Sequence, residues 1–114
     1  KDAVEAGDLE LAEKELTSIV ANAKDDALQH TATVRLARVM IAAGKVDDAL
    51  ALLANDKVGA FEAEYQETTG DALLAKGDKD AARDAYSKAV VAAQRIGANN
   101  PVLQMKLDDL AVAN

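Results

Sequence analysis

The sequence predicts an all-α protein built from repeated helical hairpins, and three observations carry that expectation. Gly7, Gly44 and Gly77 each stand five residues ahead of an alanine (Ala12, Ala49, Ala82), and each alanine stands four ahead of a large side chain, Leu16, Leu53 or Tyr86. Alanine fills 26 positions against one Phe, two Tyr and no Trp, a bias that suits closely spaced helices and disfavours a sheet. Between the glycines, apolar residues recur at helical spacing.

The intervals between the glycines, 37 and 33 residues, bracket the period of about 34 residues of tetratricopeptide (TPR) repeats, in which two antiparallel helices form one unit. In such a unit a glycine ends helix A, the alanine lets helices A and B approach closely, and the large residue fills the gap one turn later. The expected architecture is about two and a half TPR-like repeats and a C-terminal capping helix, in one domain over residues 1–114.

In chain order, residues 1–6 read as the end of a helix, Gly7 as its terminator, and Asp8 to Asn22 as the next helix, with Leu9, Leu16, Ile19 and Val20 on its apolar side. The first repeat is thus expected to be a fragment, incomplete at its N-terminus, and the apolar face of residues 9–20 to need cover from upstream sequence or a second chain. Asp25 and Asp26 open a long helix to Ala43 whose apolar positions are Leu28, Val34, Leu36, Val39, Met40 and Ile41. After Gly44 a short helix, Val46 to Ala54, gives way to the turn-forming run Asn55-Asp56-Lys57-Val58-Gly59. The third repeat runs from Ala60 to Lys76, bends at Gly77-Asp78 and returns from Lys79 to about Ile96, with Gly97 as a left-handed stop. Asn99-Asn100-Pro101 starts a last helix, because Asn at the cap accepts a backbone N–H and Pro at the first helical position lacks one. Val102, Leu103, Leu107 and Leu110 should cover the third repeat, with Lys106, Asp108 and Asp109 facing water.

Half the residues are hydrophobic, enough for a continuous core without disulfides or metal. A net charge of −7, with basic residues interspersed among acids, argues against nucleic acid and anionic lipid as partners. With no cysteine there is no disulfide framework and no thiolate zinc site, and the compartment is left open. No apolar stretch reaches the roughly 18 residues of a membrane span, so an anchor, if the protein has one, lies ahead of Lys1.

Arg35-Leu36-Ala37-Arg38-Val39, Gly70-Asp71-Ala72-Leu73-Leu74-Ala75-Lys76-Gly77-Asp78-Lys79, Ala82-Arg83 and Leu103-Gln104-Met105-Lys106-Leu107-Asp108-Asp109-Leu110, taken in order, resemble the C-terminal TPR-like domain of the YfgM family of Gram-negative bacteria. The resemblance implies an ancillary subunit of the Sec translocon, with one N-terminal transmembrane helix and a periplasmic helical-repeat domain. It implies partners too: SecYEG and the periplasmic chaperone PpiD, with newly translocated proteins passed on to periplasmic chaperones. It brings no catalytic motif.

In a TPR stack the concave surface is lined mainly by A helices. Counting back from the bend glycines places Thr31, Val34, Arg35, Arg38 and Ile41 there from one helix and Glu64, Glu67, Thr68 and Asp71 from the next. They form either a mixed polar groove for an extended peptide or partner helix, or a set of ion pairs, Arg38 with Asp71 and Arg35 with Glu67, each contributing at most about 1 kcal/mol if exposed. Two arginines among three acids do not make the basic cluster that grips a C-terminal carboxylate, and the local charge better fits an apolar or basic partner. His30, the one histidine, has no second ligand at metal-binding spacing, and the acids Glu62, Glu64, Glu67 and Asp71 read as a solvated helix face rather than an acid–base pair. Each glycine stands alone at a bend, so no phosphate loop forms. No catalytic residue, cofactor, metal or small-molecule substrate is expected. Tyr86 belongs in the core, and Phe61 and Tyr65, four apart on one helix, either close the join to the second repeat or stay partly exposed as an anchor for a partner. The expected function is protein–protein interaction, with structural self-association through the incomplete first repeat as the alternative.

Overall fold

A computed structural model describes residues 3–112. Within them lie six α-helices: α1 (Ala3–Asn22), α2 (Asp26–Ala42), α3 (Val46–Leu53), α4 (Glu62–Lys76), α5 (Lys79–Arg95) and α6 (Pro101–Val112). A single 3-10 turn, Gly59–Phe61, leads into α4, and the described residues contain no strand. The all-α expectation holds. The chain divides into two compact units, Lys1–Ala54 and Asn55–Asn114.

In the first unit α2 packs on both α1 and α3. Asp25 starts α2 by accepting from the backbone N–H groups of Ala27 (2.7 Å) and Leu28 (3.2 Å), which satisfies donors that the first turn would otherwise leave open. Ala32, Thr33, Leu36 and Ala37 of α2 and Ala49 and Leu53 of α3 are buried. Ala37 and Ala49 are fully so, as alanines at a close helix crossing should be. Across the unit, Gln29 Nε2 donates to the Val20 carbonyl at 2.9 Å and Lys45 Nζ to Glu13 Oε1 at 3.0 Å. The hydrogen bond and the charge of Glu13 raise the Lys45 pKa above the usual lysine value. The raised value means that this bridge stabilises the folded unit throughout neutral pH and is lost only as pH climbs past it.

Gly44, Gly77 and Gly97 end α2, α4 and α5 in one common geometry. Their φ angles are +83°, +93° and +68°. Each time, the residue after the glycine donates back across the turn: Lys45 to Met40 (2.8 Å), Asp78 to Leu73 (2.9 Å) and Ala98 to Ala93 (2.9 Å). This left-handed stop satisfies carbonyls at the helix end, and only glycine adopts it without strain.

Gly7 corrects the sequence reading. The helix runs straight through it from Ala3 to Asn22, its φ is not positive, and a Cβ there would meet nothing within 4 Å. Glycine inside a helix costs about 1 kcal/mol relative to alanine, whereas a bend opens several backbone hydrogen bonds and is favoured only when the preceding helix can fold back and pack. On α1, Leu9, Leu16 and Val20 are half-buried, Ile19 is exposed, and so is Leu11. Leu28, expected on the apolar side of α2, is exposed as well.

In the second unit α4 and α5 form a hairpin and α6 lies on α5. The core is Ala82, Tyr86 and Ala89 of α5 with Leu103 and Leu110 of α6, and Leu73, Val90 and Leu107 pack around it. Tyr86 is 1% exposed, as its spacing from Ala82 requires. Gly70 explains how the ring fits: any Cβ on Gly70 would overlap it. Tyr65 is buried and Phe61 half-buried. Asn100 caps α6, its Oδ1 accepting from Leu103 N at 3.0 Å. Two expectations for α6 fail. Val102 is exposed, because Leu103, Leu107 and Leu110 alone define the covered stripe, and Lys106 is turned inward.

Candidate functional site

The residues counted onto the concave surface fall on α2 in the first unit and α4 in the second. On α2 the guanidinium-bearing Arg35 and Arg38 are exposed, while Thr31, Val34 and Ile41 are half-buried beside them. This face sets two arginines beside the half-buried Thr31, Val34 and Ile41.

On α4 the four residues separate. Glu64 is exposed. Thr68 is fully buried, and its hydroxyl donates to the Glu64 carbonyl one turn earlier at 2.8 Å. It therefore offers nothing to a ligand, a correction to the sequence reading. Glu67 and Asp71 face α6. Lys106 Nζ stands 2.9 Å from Glu67 Oε2 and 3.1 Å from Asp71 Oδ2. The Tyr86 hydroxyl donates to Asp71 Oδ1 at 2.5 Å, and Asn100 Nδ2 donates to Glu67 Oε1 at 3.2 Å. The side chains of Lys106, Glu67 and Asp71 keep 28%, 12% and 20% of their accessible surface.

This network joins α4, α5 and α6 through one ammonium shared by two carboxylates. In this partly closed place the shared cation offsets the loss of water around each carboxylate. Its product is fixation of the last helix. Arg83 adds a second fastening, Nη2 donating to the Leu110 carbonyl near the end of α6 at 3.2 Å. The sequence gives Lys106 no visible tie to acids 39 and 35 residues earlier. A lysine on an amphipathic helix reads as solvated until the partner helix is known.

Among the described residues no group of three or more His, Cys, Asp or Glu side chains could hold a metal ion, and no helix is long and apolar enough to cross a membrane. What the surface offers is helix faces with mixed polar and apolar side chains, suited to recognising other proteins.

Glycine-ended hairpins with alanine crossings and a fastened last helix define a helical-repeat protein. A family model described as a tetratricopeptide repeat-like domain matches residues 1–112, and the chain belongs to that family. The chain is 36% identical over 110 residues to a protein of Aggregatibacter actinomycetemcomitans named ancillary SecYEG translocon subunit, covering 96% of this chain and 53% of that one. Proteins with the same name from Haemophilus influenzae and Escherichia coli K12 are 32% and 34% identical, over 96% of this chain in each case. These relatives bear out the resemblance to the YfgM family read from the residues. The chain spans about half the length of the curated relatives it matches. No solved structure matches it.

Proposed function

We propose that this chain is the protein-interaction module of an ancillary subunit of the SecYEG translocon. The observation that supports this is similarity over 96% of the chain to proteins of that name, on a fold whose family works by binding. In this reading the domain stands on the periplasmic side of the inner membrane, held by a single-pass helix ahead of Lys1, and links SecYEG to a periplasmic chaperone such as PpiD. It catalyses nothing. The contact face lies on α2, at Thr31, Val34, Arg35, Arg38 and Ile41. In the second unit, taken by itself, Glu64 is the exposed acid of α4, while Glu67 and Asp71 hold that unit in shape.

The test is capture from detergent-solubilised envelope with this chain as bait, beside a variant carrying Arg35→Glu and Arg38→Glu. Both sites are exposed helix positions, so the variant should fold. Translocon and chaperone subunits are expected with the parent chain and not with the variant. Equal recovery by both would remove the α2 face from the proposal.

A second reading, self-association, is favoured by Leu11 and Ile19, which are 55% and 40% exposed on α1. It requires a mass that rises with concentration in sedimentation and falls when Leu11→Lys is introduced. A bait that captures only itself would move the assignment to this reading.

A further inference from the structure

A groove lies between the end of α5 and the start of α6, about 250 Å³ in volume and open to solvent. Its apolar lining includes Val90 and Ala93 on one wall and Pro101 and Leu103 on the other. Its polar lining is entirely carboxamide: Gln94 on α5, Asn99 and Asn100 in the turn, and Gln104 on α6. None of the lining residues is charged, in a chain of which 29% is Asp, Glu, Lys or Arg.

The amides are not equally occupied. Asn100 is committed to capping α6 and to Glu67. Gln104 donates to Asp108 at 3.0 Å, which leaves its carbonyl oxygen able to accept. Gln94 and Asn99 are exposed, and their side chains make no hydrogen bond among the described residues. A carboxamide carries one acceptor oxygen and two N–H donors, the same pair of functions that a peptide main chain presents. An extended segment directs its N–H and C=O groups to both sides, so amides on opposite walls can hold it from either edge. A carboxylate or ammonium entering here would find no counter-charge in the lining. The volume lies below the range typical of drug-sized ligands and suits small apolar side chains. Val91 and Met105, 45% and 57% exposed, continue the apolar rims one turn from Gln94 and Pro101.

We propose that this groove binds an extended, uncharged, apolar segment of another protein. Gln94, Asn99 and Gln104 hold the main chain of that segment while its side chains rest on Val90, Ala93 and Leu103. This site is distinct from the α2 face and does not depend on the translocon assignment. Peptide binding and envelope capture are separate readouts, so each proposal can fail alone.

The experiment titrates the full 114-residue chain into a Gly-Ser-Leu-Val-Leu-Ser-Gly amide carrying an uncharged fluorophore on its N-terminus, followed by anisotropy and by amide NMR spectra. Saturable binding is expected, with shifts concentrated at the Gln94, Asn99 and Gln104 side-chain amides and at Val91 and Met105. The Gln94→Ala, Gln104→Ala double variant should bind about ten-fold more weakly or worse. A peptide with Asp in place of the central Val should lose a similar factor. Since Gln104 also touches Asp108, Gln94→Glu serves as a second variant that leaves α6 alone and should weaken binding as well. Absence of binding at millimolar chain, undiminished binding by the variants, equal affinity for the Asp peptide, or shifts centred elsewhere would each overturn the proposal. So would movement of the groove resonances on dilution of the chain alone, which would show a second copy as the occupant.

Discussion

Tyr86 reaches its place because Gly70 has no side chain, and this pair predicts a substitution whose sign separates two effects. Gly70→Ala should gain about 1 kcal/mol from helix propensity, yet overpacking a closed core costs about 1–3 kcal/mol. The ring has no room to yield, being 1% exposed and tied through its hydroxyl to Asp71. Urea unfolding should therefore show Gly70→Ala to be less stable than the parent. A neutral or stabilised variant would mean that the ring shifts freely and that the hairpin is not set by this contact. Lys106→Met should also destabilise, by about 1–3 kcal/mol, because it strands two partly enclosed carboxylates with no cation between them. Tyr86 was legible from its spacing after Ala82. Gly70 and Lys106 were not, because their roles depend on what another helix brings opposite them, and spacing along one helix carries no record of that.

At the scale of elements, the glycines make opposite predictions from the same residue type. Gly7 lies inside α1 with open space where a Cβ would go, so Gly7→Ala should leave the fold intact and add up to about 1 kcal/mol, less if the first turns fray. Gly77 sits at φ +93°, where an alanine is strained by about 1–2 kcal/mol, so Gly77→Ala should lower the melting temperature. Thermal unfolding by circular dichroism reads both signs, and a destabilised Gly7→Ala would restore the bend to Gly7. Element boundaries from α2 onward were close to legible, since capping side chains and left-handed stops act within a few residues. Pro101–Val112 begins where Asn100 and Pro101 placed it. The reading at Gly7 failed because a glycine only permits a bend. Whether it is used depends on a second helix packing back, and that information lies outside the local pattern.

For the whole molecule, the sequence carried the repeat class and the relatives its family, while the division into Lys1–Ala54 and Asn55–Asn114 was not read from it. The turn-forming run after α3 was visible in the residues, but its exposure was not. Residues 54–57 are exposed and non-helical, ordered locally by Asn55 Oδ1 accepting from Lys57 N at 3.0 Å. Lys57 thus offers trypsin a cleavable bond in an exposed stretch whose local restraints are the Asn55 acceptor and the buried Val58 side chain that follows. Lys24 also lies between helices, in a shorter connection bounded by the Asp25 cap. Most of the remaining basic residues lie in or beside helices, where cleavage requires local unfolding. Limited trypsinolysis followed by mass spectrometry should accordingly give a first cut after Lys57. The C-terminal product should stay helical, because Ala82, Tyr86, Ala89, Leu103 and Leu110 form a core contained within it. A first cut inside α4 or α5, or a C-terminal product that loses its helical signal on release, would show that the second unit does not hold its structure through its own core and the Lys106 network.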